Sequence, residues 1–418
     1  VIGMDMIHGS FNVLFNLYLL ALGFDVRFVG LRLTIGFVAS AITAVPAGLV
    51  SDRIGRKASF ILGDGIGAIV ALVMIHTQSE AILLAGPAFG AFFGNLHHTS
   101  EAAFMAENSR PSERIHLFSV AGSLRTLSAM AGALIAGLLP LMFIADFGEV
   151  TAYRWATYAG LSLWFLSLIP ALMLRSDEAV ERPEKESARQ PTQGRSFRTL
   201  FADIKHPKRI AYFVLTSALV SVGTAAVIPL LNVVFHEGHL HAGEGEIGVL
   251  FGIGELALAA ATLAVPILAV RMLKVDAIAL TRVLSLPFVL GMGLIPLMIG
   301  DGGTLLALMG LAYLGRTAIF RMSFPLDDAF NMSVLDARER ATGTGIEIAV
   351  GSAVSAIAIF VSSRIMDSGD FATPFLIMAT FYLASTLIYW RYFRPIEVES
   401  LEQEETTSDA ETEVPVAD

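Results

Sequence analysis

About a dozen apolar runs of 18 to 25 residues follow one another along this sequence, each long enough to cross a hydrocarbon core about 30 Å thick. A soluble fold has no use for so many, because a helix apolar all round must be buried all round. Barrel strands alternate over about 10 residues, and these runs do not, so helices remain the way to satisfy the backbone in lipid. The expected fold class is an all-α membrane protein. Composition agrees: 55% of residues are apolar and 16% charged, against about 25% charged in an ordinary soluble domain.

The twelve predicted spans are 3–24, 30–50, 58–77, 81–105, 115–143, 153–174, 210–235, 246–270, 275–299, 303–330, 342–364 and 372–393. Ten of the eleven joining loops are short. The exception, 175–209, holds Pro183, Pro191, Gly194 and Pro207 among nine basic and six acidic residues, the composition of a solvated linker. It divides the chain into an N-terminal six-helix half, 1–174, and a C-terminal half, 210–393, followed by 394–418.

The formal net charge of −10 belongs almost entirely to the end of the chain, where residues 395–418 carry nine acids and no Lys or Arg. That stretch has little to bury, so an acidic disordered tail is expected, and the rest is not basic enough to hold nucleic acid. With zero Cys there are no disulfides, thiolate metal sites or Cys nucleophiles. No cleavable signal peptide is expected, since the first run is of spanning length and lacks a small-residue cleavage site. If both termini are cytoplasmic, 20 of the 28 Lys and Arg fall on that side and only Arg27, Arg32, Arg154 and Arg364 on the other. The positive-inside rule therefore predicts a multi-pass protein of the cell membrane with cytoplasmic termini.

The halves resemble each other. A shift of 226 residues lays Glu101-Ala-Ala-Phe104 on Asp327-Asp-Ala-Phe330 and Glu113-Arg114 on Glu339-Arg340. Repeated six-helix units of this kind hold substrate between them near the bilayer midplane.

Between the second and third spans stands Gly48-Leu-Val-Ser-Asp52-Arg53-Ile-Gly55-Arg56-Lys57. It resembles the loop signature of the major facilitator superfamily, Gly-x-x-x-Asp-Arg-x-Gly-Arg-Arg/Lys, at every defined position. After the eighth span, Pro266-Ile-Leu-Ala-Val-Arg271-Met-Leu-Lys274 reads as a degraded second copy. With the twelve spans and the central linker, the resemblance covers about 390 residues and implies two pseudo-symmetric six-helix halves with spans 1, 4, 7 and 10 lining a cavity. It also implies that Gly48, Asp52, Arg53, Gly55, Arg56 and Lys57 form a gating motif whose carboxylate latches the outward-open state; a plain charge anchor would explain the bases but neither Asp52 nor the glycines. In the fifth span, Gly132-Ala-Leu-Ile-Ala-Gly137 partly resembles the Gly-Pro-x-x-Gly-Gly element of drug/proton antiporters, and small residues for close helix packing are the other reading.

Ionisable groups inside spans are costly and mark functional candidates. Asp5, His8, Asn12 and Asn16 fall within about 80° on one face of the first span, and Gly94, His97, His98 and Glu101 within about 100° on the fourth. From these, Glu101, Asp327 and Asp5 are expected to couple protons, a buried carboxylate with a raised pKa being able to charge and discharge. Substrate contacts are expected at His8, Asn12, Asn16, His97, Arg125 and Arg316, the last near the midplane, where it attracts an anion or neutralises an acid such as Glu347 or Asp5. Pro325 should bend the tenth span. His97 and Glu101, with Asp5 and His8 nearby, could also hold a divalent cation, a reading that the histidines of the loop 236–246 invite as well. The loop from His236 to Glu246 reads as solvated.

No phosphate-binding loop and no nucleophile with its base stands in the sequence, so neither direct use of ATP nor an enzyme is expected. The expected function is secondary transport of a small organic solute by a monomer in the lipid bilayer, coupled to protons, in the export direction and without cofactor. Uptake by symport, facilitated diffusion, divalent-metal transport and a non-transporting receptor or sensor are the alternatives.

Overall fold

In the computed structural model, residues 2–173, 206–299, 303–334 and 337–412 are described, and every long element among them is an α-helix. The first half holds α1 (Ile2–Ala21), α2 (Val26–Ile54), α3 (Arg56–His76), α4 (Glu80–Glu107), α5 (Pro111–Leu138) and α6 (Glu149–Met173). The second holds α7a (Pro207–Val227) and α7b (Leu231–Glu237), α8 (Glu244–Arg271), α9 (Lys274–Met298), α10a (Gly303–Arg321) and α10b (Ser323–Val334), α11 (Ala337–Asp367) and α12 (Thr373–Thr412). Of the predicted linker, only 206–209 lies inside the described residues.

Among the described residues ten helical stretches are long and apolar enough to cross a membrane, and α1 and α4 are not among them. The reason is their polar content: Asp5, His8, Asn12 and Asn16 dilute α1, and Asn95, His97, His98 and Glu101 dilute α4. The outer faces are lipid-compatible, as Leu263, Val270 and Met298 show at more than four-fifths exposed. Such a surface would drive aggregation in water and costs nothing in hydrocarbon.

Two interruptions have local causes. A 3₁₀ turn at Ile228–Leu230, built around Pro229, parts α7a from α7b. Pro325 cannot donate to the carbonyl of Arg321, and α10 breaks at Met322, the bend expected there. The α2–α3 turn rests on Gly55, whose φ of +85° is open to glycine at no cost.

The end of the bundle bearing the flanks of the central linker is here called the linker end, and the opposite end the far end. The two halves meet toward the far end, where α2 packs on α11 and α5 on α8. A Cβ on Gly248 would stand 2.5 Å from Gly137 Cα, so the two backbones touch with no side chain between them. Gly132 lies equally close to the α1 backbone at Met6. The glycines of the α5 element are therefore packing positions, one of them between the halves.

The end of the chain departs from expectation. Residues 394–412 are helical as a continuation of α12, whereas composition predicts disorder from 394; residues 413–418 lie outside the described ones. Anchorage accounts for its first turns. Glu397 is buried and accepts the backbone N–H groups of Lys274 and Val275, both at 2.9 Å, capping α9. Asp276 takes Arg394 at 3.0 Å and Trp390 at 2.8 Å beside it.

Candidate functional site

The far end is closed by paired polar groups. Asn16 donates to Asn232 Oδ1 at 3.0 Å and to the Pro229 carbonyl at 2.9 Å, and Asn232 donates back to the Val13 carbonyl at 2.9 Å. The buried Tyr153 hydroxyl donates to Glu244 across α6 and α8, and Arg27 pairs with Asp367 across α2 and α11. Asn16 thus corrects an expectation: it continues the polar stripe of α1, but its depth places it in the seal between halves instead of against a solute.

Below the seal, toward the linker end, lie two contiguous lobes of about 440 and 510 Å³. Both are bordered by Phe37 of α2, Ser217 and Ser221 of α7a, Asp328 of α10b, and Glu347 and Ser355 of α11. Ser217 donates to Glu347 at 2.5 Å. From the other half, His8 and Asn12 of α1 and His98 of α4 are exposed although they sit mid-span, and the His8 and His98 rings face each other at 6.2 Å. Gly90 and Gly94 of α4 and Gly122 of α5 have open space where a side chain would stand. Short residues here keep room beside the imidazoles.

Behind that surface sits a buried charge cluster. Arg125 Nη2 lies 2.6 Å from Glu101 Oε1, with Arg125 40% exposed and Glu101 5%. His97 bridges Glu101 Oε2 at 3.7 Å and Asp64 Oδ1 at 2.8 Å, the latter contact bent away from a linear hydrogen bond. Asp5 is within electrostatic reach of Arg125. The structure differs from the sequence expectation at two points here. His97 is buried under Phe60 and pinned by two carboxylates, so it does not face a solute. Glu101 is not a lone carboxylate but the partner of a guanidinium. Among the described residues no three His, Asp or Glu side chains converge on a metal geometry.

The second half has its own cluster at the corresponding place. Arg282 of α9 gives Nη2 to Asp327 at 2.9 Å, and Tyr389 of α12 donates to the other Asp327 oxygen at 2.7 Å. Arg316, expected to meet solute, is buried: it donates to Tyr382 at 2.6 Å, and Tyr382 in turn bonds Thr224 at 2.8 Å. It reaches the cavity wall only through those two hydroxyls. Arg282, Tyr389, Asp328, Glu347 and Ser217 were not singled out as site residues. Arg282 and Glu347 are ionisable groups inside apolar runs and carry the signal that marked Glu101; the seryl and tyrosyl hydroxyls carry none.

At the linker end, Asp52 is 60% exposed and pairs with Arg56 of its own loop at 2.8 Å, while Arg56 also donates to Ser51 at 2.9 Å. Arg53 is exposed, Lys57 half-buried, and a Cβ on Gly48 would meet nothing within 4 Å. A glycine expected at a close helix approach has no neighbour in this conformation.

The sequence profile of the Major Facilitator Superfamily matches residues 2–346. The chain belongs to the major facilitator superfamily. It is therefore a multi-pass membrane protein of a transporter superfamily, and membership points to transport in place of catalysis. Among solved structures it is similar to the nucleoside transporter NupG, with 15% identity over 94% of this chain and 96% of that one at a TM-score of 0.71. A mutant of the same transporter matches at 14% identity and 0.71, covering 94% and 97%. A bacterial homolog of the human lysosomal transporter Spinster, in an inward-facing and occupied conformation, matches at 12% identity, 94% of each chain and 0.70. No curated protein matches significantly. At these identities the likeness to the solved superfamily structures establishes the fold alone.

Proposed function

We propose that this protein is a secondary transporter that carries a small organic solute by alternating access, here in the state open at its linker end. One observation carries the reading: a two-lobed cavity, walled by the second half and by Phe37 of the first, lies on the linker side of a seal made by Asn16–Asn232, Tyr153–Glu244 and the Gly137–Gly248 contact. The division of 20 basic residues against four supports a cytoplasmic linker end in the cell membrane, so the state is inward-open.

Proton coupling is assigned to Glu101 and Arg125, with Asp5 beside them and Asp327 as the counterpart in the second half. A proton arriving on Glu101 would release Arg125, already 40% exposed, into the cavity. Export as the direction rests on the partial likeness of Gly132-Ala-Leu-Ile-Ala-Gly137 to the drug/proton antiporter element. In the outward-open state Asp52 and Gly48, free of the other half here, would meet it and latch the closed linker end.

The test needs no knowledge of the solute. Spin labels at positions 57 and 271 should report two separations in exchange, and a disulfide between Arg27→Cys and Asp367→Cys should collapse them to the longer one. A single separation that the disulfide leaves unchanged would remove alternating access. Proton-driven movement is then read in proteoliposomes with a pH step, where the population shift should vanish in Glu101→Gln.

A further inference from the structure

The cavity does not balance its own charge. In the buried clusters around it each carboxylate has a cation or imidazole: Glu101 has Arg125, Asp64 has His97, and Asp327 has Arg282. Arg321, stacked on Phe324 at 5.3 Å, has Glu255 as its opposing charge. The two carboxylates that border both lobes are different. Glu347 is held by the Ser217 hydroxyl alone, and Asp328 has no hydrogen bond or ion pair among the described residues.

Two partly enclosed carboxylates in one lobe repel each other and lose hydration, a cost that a resident cation would have removed. The wall carries none for them: Arg316 is sequestered behind Tyr382, and Arg282 is spent on Asp327. An unpaired acid inside a span is expensive to keep and usually marks a ligand or ion pathway. Aromatic side chains border the same lobes. Phe37 borders both, and a ring face attracts a desolvated cation within about 6 Å of its centre; Phe324, which already carries Arg321 on its ring, adds apolar wall to the larger one. Asn331 adds a neutral group able to orient a polar substituent.

We infer that the solute is a small organic cation, its charge held between Asp328 and Glu347 and its apolar body laid against Phe37 and Phe324. This rests on the transport reading above and names the substrate class of the same cavity. Lobes of about 440 and 510 Å³ fall within the 300 to 1,000 Å³ range, roughly, of small-molecule sites. An anion is disfavoured for the same reason that a cation is favoured, since no free guanidinium or ammonium faces the lobes among the described residues.

The test is calorimetric titration of purified protein with the tetraalkylammonium series from tetramethyl to tetrabutyl, whose charge does not depend on pH. At least one member should bind saturably, and Glu347→Gln and Asp328→Asn should each weaken it by about tenfold or more. The neutral alcohol of matching size should not bind. Glu347→Asp keeps the charge and moves it by one methylene, so it should retain binding within a few-fold and covers the case in which Glu347→Gln does not fold. No saturable binding by any member, or binding that both neutral variants leave within about twofold, would overturn the inference and assign the two acids to protons. The 57/271 label exchange is read in parallel: exchange that persists without cation binding sinks the substrate class alone, and loss of both sinks the transport reading.

Discussion

The two halves place a charge cluster at the same node and fill it in opposite ways. Asp64 is eight residues beyond the first residue of α3, and Arg282 eight beyond that of α9; His97 and Ser323, like Glu101 and Asp327, are 226 apart. In the first half the α3 position is an acid, bridged by an imidazole to a glutamate whose guanidinium comes from α5. In the second the α9 position is itself the guanidinium, held to aspartate with a tyrosine as the third member. One node joins an imidazole to a guanidinium-bound glutamate, and the other is a guanidinium–carboxylate pair completed by a phenol. The architecture duplicates while the chemistry divides.

The largest effect should come from breaking the arginine–aspartate node. Arg282→Ala strands Asp327 on Tyr389 alone, and loss of one member of the pair should cost about 3 kcal/mol, the low end for a buried pair because Asp327 is a quarter exposed, visible as a lower thermal unfolding midpoint. Arg282→Met with Asp327→Leu should recover most of that, because the stranded charge is gone. If the double variant is as unstable as the single one, the second node is more than a structural pair.

Glu101→Gln tests the first-half node. Its amide can still accept from Arg125, so stability should fall by about 1 kcal/mol, while the response of the 57/271 separation to a pH step should disappear. A retained response would move coupling to Asp5 or to the cavity acids. Asp64→Asn should act more mildly, leaving His97 without its acid on the α3 side and displacing the midpoint of the same pH response without abolishing it. Comparable loss in both variants would mean that the cluster works as one unit.

The smallest change in stability is expected at the loops. Asp52 is exposed and paired within its own loop, so Asp52→Asn should alter the unfolding midpoint by less than about 0.5 kcal/mol equivalent, yet shift the label populations toward the linker-open state. At the matching point of the degraded second copy stands Val270, and the carboxylate that serves α9 arrives instead from α12 as Glu397. Equal populations in wild type and Asp52→Asn would make the first loop as passive as the second.

These contrasts also show what sequence alone can and cannot convey. Run length and continuity fix helices in lipid, and a 100° step per residue places His97 with Glu101 and Asp5 with His8 on shared faces. Such local arguments end where a second helix must be brought up. That Arg125 would turn to Glu101, that Asn16 would meet Asn232 instead of a solute, and that Tyr382 would stand between Arg316 and the cavity all depend on how helices are set against one another, which no single-helix periodicity encodes. The helical course of 394–412 was hidden for a related reason. Its acidic composition describes the free segment, whereas Glu397 binds it to α9.

That last attachment turns α12 into a pointer. With Glu397 gripping the start of α9 and Arg394 on Asp276 beside it, a fluorophore at Glu402 is carried on the rigid frame of the second half. Its orientation would follow that half as a body, so polarised single-molecule emission recorded there in an oriented bilayer should track rocking of that half without any label in the cavity or at the mouth.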